Sequence, residues 1–325
     1  MSLATEQKSQ IGNKPVPTPV IFDSIPAVSP DFEEDLQRVA KAINEKIAEL
    51  LPIPSADSLG NPLLEAMRHI VLADGKKIRG YLIVKVAKLF SIPEQYGLRV
   101  AAAVECLHAY SLIHDDLPAM DDAAIRRGKP ATHIAFDEAT AILAGDALLT
   151  LAFEILADSK THPSAEIRSR LVLNLARATG PLGMVMGQMM DIEAEHKELN
   201  FEDLKTLQTL KTGKLITYSA IASAILASAD VESFEALKNY GKKLGLAFQI
   251  VDDLLDQVST GEGLGKPAQQ DLAKGKQSYV KLFGAEKTKE IALNCHSKAL
   301  ESLTLFSQDT DYLSQLAHYI LARKK

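Results

Sequence analysis

An all-α fold follows from three observations. Of the 325 residues, 46% are hydrophobic but only 6% are aromatic, with no tryptophan, so the apolar content is aliphatic and favours helix over strand. Apolar residues recur at a helical period from Phe32 onward. Strand-like alternation is weak throughout the chain.

Residues 1–30 are rich in polar residues and proline and read as a loosely held N-terminal arm. The first apolar stripe then runs through Leu36, Val39, Ala40, Ile43, Ile47 and Leu50 and stops at Pro52, which cannot continue a helix. The same period predicts helices at roughly 62–73, 77–91, 95–117, 137–158, 164–178, 182–196, 202–228, 233–258, 278–303 and 310–323. The stretches 95–117 and 233–258 are apolar around most of their circumference, as expected in the middle of a bundle. Both end in an acid cluster, so side by side they would set a charged rim over an apolar shaft. No repeat, low-complexity block or composition shift divides the chain, so 31–325 is expected to form one domain.

A net charge of −6 argues against a nucleic-acid binder. Cys106 and Cys295 are the two cysteines, too few for a disulfide framework or a thiolate metal site, and they fit a reducing cytoplasm. The N-terminus lacks the pattern of a signal peptide, and no apolar run looks long enough to span a bilayer.

The first acid cluster is Asp115-Asp116-Leu-Pro-Ala-Met-Asp121-Asp122 and the second is Asp252-Asp253-Leu-Leu-Asp256. Carboxylates set among Leu112, Ile113, Leu254 and Leu255 are costly to leave charged and unpaired, so a cation must compensate them. A hard divalent ion suits oxygen donors. Asp252 and Asp256 are four apart and share a helical face, while Asp253 points elsewhere. On an unbroken helix Asp121 would diverge from Asp115; Pro118 disrupts the regular hydrogen bonding, so the Leu-Pro-Ala-Met segment is expected to bulge and return Asp121 to the side of Asp115 and Asp116.

Basic groups accompany the acids: Lys76-Lys77-Ile-Arg79, Arg126-Arg127, Lys211, and Lys266 with Lys274 and Lys276. Arginine forks match phosphate oxygens and lysine supplies a mobile point charge. Any one group alone is ordinary surface charge; Arg126 and Arg127 just after the first cluster, and Lys266 just after the second, suggest a metal-diphosphate site. Other phosphate motifs fail. Gly261-Glu-Gly-Leu-Gly265-Lys266-Pro267 has the wrong glycine spacing for a P-loop and proline in place of Ser/Thr, and no zinc helix is present. His108 and His114 lie in an apolar helix, where hydrogen-bonded packing is the default.

The run from Glu105 to Asp122, then Arg126-Arg127-Gly128-Lys129-Pro130, Ile142 to Leu148, Gly187-Gln188 with Asp191, Lys211-Thr212-Gly213, Phe248-Gln249 to Asp256, and Gly265-Lys266 to Lys276, closely resembles the trans-isoprenyl diphosphate synthases, particularly those of the bacterial farnesyl type. The resemblance covers about 32–325. It implies an isoprenoid-synthase-type helical bundle around a deep central cavity, three Mg2+ ions and a homodimer. It implies that Asp115, Asp116 and Asp121 hold magnesium from one wall, and Asp252 with Asp256 from the other. Arg126, Lys211, Lys266 and Lys276 would grip the allylic diphosphate; Lys76, Arg79, His108 and Arg127 would hold isopentenyl diphosphate; Thr212 and Gln249 would lie near the developing cation. The sequence departs from the family at Lys77 and Gly80, where many relatives have Arg and Pro, and at Ala123 and Ala124, where close relatives often have acids.

Tyr110 precedes Asp115 by five residues, about 7.5 Å along a helix, and is a candidate cavity floor. By resemblance, an aromatic there accompanies a fifteen-carbon product, and Ser111 leaves no second bulky group to stop growth at ten carbons. The implied reaction joins isopentenyl diphosphate to dimethylallyl and geranyl diphosphate. A geranylgeranyl-producing relative, a terpene cyclase and a non-catalytic synthase subunit stay as alternatives. The cyclase would normally carry an Asn/Ser/Glu second motif, and the subunit could dispense with the metal ligands and bases retained here.

Overall fold

Ser29 starts the first helix: its side chain accepts a hydrogen bond from the Phe32 amide, Pro30 occupies the first turn, and Asp31 and Glu33 face the positive helix end. The computed structural model describes residues 22, 25–55, 58–195, 197–258 and 278–323. Helix α1 (Pro30–Leu50) buries Phe32, Leu36, Val39, Ala40, Ile43 and Ile47, the stripe that its sequence period predicts. Ahead of it, Phe22 is buried, Ile25 and Val28 pack on the same core, and the Ser29 amide donates to Gln315 Oε1 at 3.2 Å. This end of the arm is therefore anchored.

The bundle continues with α2 (Asn61–Val71), α3 (Ile78–Leu89) and α4 (Glu94–Asp115). Buried residues surround α4: Val100 to Leu107 are all buried, together with Ala109 and Ile113, which makes it the bundle's axis. Truncating a side chain such as Leu107 there would cost about 2–5 kcal/mol. Beyond the acid loop come a short antiparallel hairpin, β1 (Ile125–Arg126) and β2 (Lys129–Pro130), then α5 (Thr132–Ala135), α6 (Glu138–Ala157), α7 (Ala165–Thr179), α8 (Met184–Ala194) and α9 (Phe201–Gln208). Helix α6 lies along α4 and also touches α2 and α7. It is long and apolar enough to cross a membrane, with a mean hydropathy of 1.7, which qualifies the expectation from sequence that no run reaches that length. In the fold it is a bundle helix with one face packed on α4.

A π turn at Thr209–Gly213 joins α9 to α10 (Lys214–Leu226), and among the described residues α11 (Val231–Val258), α12 (Tyr279–Phe283), α13 (Ala285–Leu303) and α14 (Asp311–Ala322) follow. Helix α10 is held between α3, α7 and α11, and α11 packs along α13. Two predicted helices are thus interrupted. The stretch 202–228 widens at the π turn, and 278–303 breaks at Gly284, whose φ of 77° is left-handed and suits glycine.

Candidate diphosphate and metal site

The first acid cluster sits where α4 ends. The Leu117–Met120 segment turns back, so that the Asp121 amide donates to the Asp115 carbonyl at 2.8 Å and the Ala123 amide to the Asp116 carbonyl at 3.2 Å. Asp121 is thereby returned to Asp115, by a loop after the helix rather than a bulge within it. The hairpin then brings Arg126 back over the cluster. Arg127 and Gly128 both have positive φ, 53° and 73°, as a tight two-residue hairpin turn requires. Arg126 Nε donates to both oxygens of Asp116, at 2.9 and 3.0 Å, and its Nη2 also bonds Oδ1. Asp116 is fully buried, so this forked pair supplies the partner that a buried carboxylate needs.

Asp115 stays short of positive charge. Burial pushes its carboxyl up to about 6; nearby Lys211 and Arg126 oppose the shift, and Asp121 and Asp116 add to it. A group of oxygen donors in that condition fits a hard divalent cation. Among the described residues, no three His, Cys, Asp or Glu side chains form a ready-made metal cage. Mg2+ commonly takes one or two carboxylates and completes its shell with water and substrate phosphate, so the donors fit an ion that arrives with diphosphate.

Across from α4, the π turn presents Lys211 and Thr212. Lys211 Nζ bonds Asp191 Oδ2 on α8 at 2.7 Å, and Thr212 Oγ1 lies 3.1 Å from Gln249 Oε1 on α11, to which it donates. Close packing fixes the turn. A Cβ at Gly187 would fall 2.2 Å from the Lys211 amide nitrogen, and one at Gly245 would fall 3.0 Å from the Gly213 Cα. Asp252, Asp253 and Asp256 follow on α11. Asp253 points away, as its helical phase predicts: it accepts from the Tyr279 amide at 2.8 Å, Gln208 Nε2 at 3.3 Å and Gln249 Nε2 at 3.4 Å. Burial, the largest effect, pushes its carboxyl up to about 7 against those three hydrogen bonds.

A second, basic centre lies beside the first. Arg79 Nη1 is 3.3 Å from His108 Nε2, and Arg127 Nη1 donates to the Ile70 carbonyl at 3.4 Å. Burial, reinforced by Arg79, Arg127, Lys77 and Arg126, holds His108 well below the usual imidazole range, so its neutral Nε2 accepts from Arg79. Glu105 opposes this positive charge, and its Oε1 accepts from the Gly80 amide at 3.0 Å, a bond that a proline at position 80 could not make. Arg79 Nε is buried with no partner among the described residues. A half-buried guanidinium whose Nε is a spare buried donor, with other cations crowded around it, has the chemistry to accept an anion.

Lys76 stands apart, exposed, with its ammonium 5.0 Å from the centre of the Tyr319 ring. It borders a surface groove of about 800 Å3 that also includes Gln37, Asn44 and Asp74. Tyr110 and Ser111 are half-buried on α4. Lys266 and Lys276 fall outside the described residues.

Sequence reasoning missed Arg323. Its side chain is 6% exposed, pairs with Asp252 Oδ1 at 2.7 Å, donates to the Phe248 carbonyl at 2.6 Å and stacks 3.8 Å from the Phe248 ring centre. A lone arginine near the end of a sequence carries no signal of this; the path of α14 alone brings it to α11. Gln208 was missed too, and the one clue was a polar residue on the apolar side of α9.

The sequence family model described as polyprenyl synthetase matches residues 61–309. A farnesyl diphosphate synthase from Haemophilus influenzae is 40% identical over 296 residues, 90% of this chain and 99% of that protein. Among solved structures, an FPP/GFPP synthase from Zymomonas mobilis superposes with a TM-score of 0.82 at 39% identity, covering 90% of this chain and 99% of that one. A geranyltransferase from Helicobacter pylori, complexed with magnesium and isoprenyl diphosphate, gives 0.76 at 32% identity over 91% and 98% of the two chains. With the acid loop, the π-turn lysine and the buried arginine centre all in place on an all-α bundle of this shape, the chain belongs to the polyprenyl synthetase family.

Proposed function

We propose that the chain is a prenyltransferase that condenses isopentenyl diphosphate first with dimethylallyl and then with geranyl diphosphate, releasing farnesyl diphosphate. The observation that carries this is the pairing of two unlike centres: half-buried Asp115, whose carboxyl burial pushes up beside Asp116 and Asp121, and the crowded cations around Arg79, whose Nε is buried with no partner among the described residues. One suits a diphosphate that must leave, the other a diphosphate that must stay. Asp115, Asp116 and Asp121, with Asp252 and Asp256, are the residues that would hold Mg2+, three ions being the count that the resemblance carries. Mg2+ held by these carboxylates would supply the positive charge that offsets the departing diphosphate and eases allylic ionisation.

The chain's own residues do the rest. Lys211 and Arg126, with Lys266 and Lys276 in the proposed set, hold the allylic diphosphate so that the C–O bond breaks toward positive charge. Arg79 and Arg127, with neutral His108 as a hydrogen-bonding partner, keep isopentenyl diphosphate beside it, which makes carbon–carbon bond formation effectively intramolecular; Lys76, which rests over Tyr319, would join them by swinging its exposed side chain in. The Thr212 and Gln249 oxygens face the developing cation, and apolar walls exclude water that would quench it. The released diphosphate takes the proton that completes each elongation. Tyr110, below the metal rim, ends growth at fifteen carbons.

The proposal includes one domain over 31–325 with an arm over 1–30, a homodimer and a cytoplasmic location. Exposed Ile142 and Leu143 on α6 and Leu173 on α7 support the dimer, and two free buried cysteines suit a reducing compartment. Incubating the protein with isopentenyl and dimethylallyl diphosphates and Mg2+, then identifying the extracted alcohols after dephosphorylation, tests the reaction. Farnesol is the expected product, and chelation of Mg2+ should abolish it. Metal-independent turnover, or no condensation at all, would overturn the reading.

A further inference from the structure

A side chain can end chain growth only if something keeps it from swinging aside. The Tyr110 ring stands edge-on to the His114 imidazole, centroids 5.1 Å apart with an interplanar angle of 82°. The two residues are four apart on α4 and so share a face. His114 is held in turn by α6. Its Nε2 is 3.0 Å from the Ile142 carbonyl oxygen, which can only accept, so Nε2 carries the proton. The imidazole fills the space over buried Gly145, where a Cβ would fall 2.1 Å from Nε2 and 2.4 Å from Cδ2. Asp146 Oδ1 lies 3.9 Å from the same nitrogen. The imidazole is thus a wedge between two helices, and it has room only because residue 145 lacks a side chain.

We infer that His114, seated on Gly145 and the Ile142 carbonyl, is a positioning residue that braces the Tyr110 ring and thereby sets product length. This rests on the reading of Tyr110 as the floor. With the wedge gone or displaced, the phenol loses its edge-to-face partner and gains space on the α6 side. The growing tail can then push it over. Gly145 takes part without touching substrate: any larger residue must move the imidazole, whose ring atoms are the nearest to the added carbon.

The test compares product distributions of the wild type, Tyr110→Ala, His114→Ala, Gly145→Ala and the double variant Tyr110→Ala/His114→Ala, under full turnover. Tyr110→Ala should lengthen the product. His114→Ala and Gly145→Ala should each raise the ratio of longer products to the fifteen-carbon product about two- to tenfold, the factor to which an aromatic pair of this kind amounts. The double variant should go no further than Tyr110→Ala, because the brace acts only through the ring. If Tyr110→Ala lengthens the product while His114→Ala and Gly145→Ala keep the wild-type ratio, the brace is overturned and the floor stands. That holds equally if the two variants merely lower melting temperature or total turnover. An unchanged product from Tyr110→Ala removes the floor, and the brace with it. Should Gly145→Ala fail to fold, His114→Ala decides alone.

Discussion

Two neighbouring aspartates on α11 have opposite duties. Asp252 is partly exposed and pairs with Arg323, whereas Asp253 faces inward and gathers Gln208, Gln249 and the Tyr279 amide. Asp253→Ala leaves three donors without their acceptor, and each unsatisfied buried group costs about 1–3 kcal/mol. Chemical denaturation should show a loss of at least that size, with Mg2+ present or absent. An unchanged midpoint would mean that Asp253 is dispensable to the fold. The division was legible in the sequence, because a helical period of 3.6 puts position 253 off the face shared by 252 and 256. So was the return of Asp121, signalled by Pro118. Arg323 was not legible: its partner lies 71 positions earlier (323 − 252), and only packing of α14 decides that contact.

At the scale of elements, the long apolar helices were read correctly because their period persists for several turns. What escaped were features a few residues long. The β1–β2 hairpin has two residues per strand, too few to alternate, although Arg127-Gly128 carried a turn signal. Docking of α14 on α13 shows another such detail. His296 Nε2 meets His318 Nδ1 at 2.9 Å, and burial pushes His296 down to about 4 and lowers His318 as well. The unfolded chain protonates these rings near 6.5, while the folded pair resists protonation until a lower pH. The stability due to the neutral pair is therefore complete above about 6.5 and shrinks as pH falls toward about 4. Thermal melts across that range should show a steeper decline for the wild type than for His296→Gln. Parallel curves would show that the pair contributes no pH dependence.

On the scale of the whole molecule, α6 has two unlike sides. Gly145 and Ala144 are buried, while Leu143 is 56% exposed and Ile142 43%. Exposed aliphatic residues on a helix this apolar suit a partner subunit better than water. Leu143→Asp should shift the sedimentation of the protein from dimer toward monomer. A wild type that already sediments as a monomer at micromolar concentration would end the dimer proposal. Composition made the all-α class legible, but not which face would be left uncovered, since that depends on how α4 and α6 meet.

The π turn at Thr209–Gly213 has a consequence for how this chain can change over evolutionary time. It holds one residue more than a regular helix would, closed by the Lys214 amide on the Thr209 carbonyl. Deleting a single residue between α9 and α10 would restore regular winding, yet swing whatever precedes the cut by about 100°, parting Lys211 from Asp191 or Thr212 from Gln249. Exposed turns elsewhere can absorb insertions and losses. This segment can vary in composition but is locked in length, so a relative with a gap here has surrendered the lysine–threonine pair even if both letters survive in its sequence.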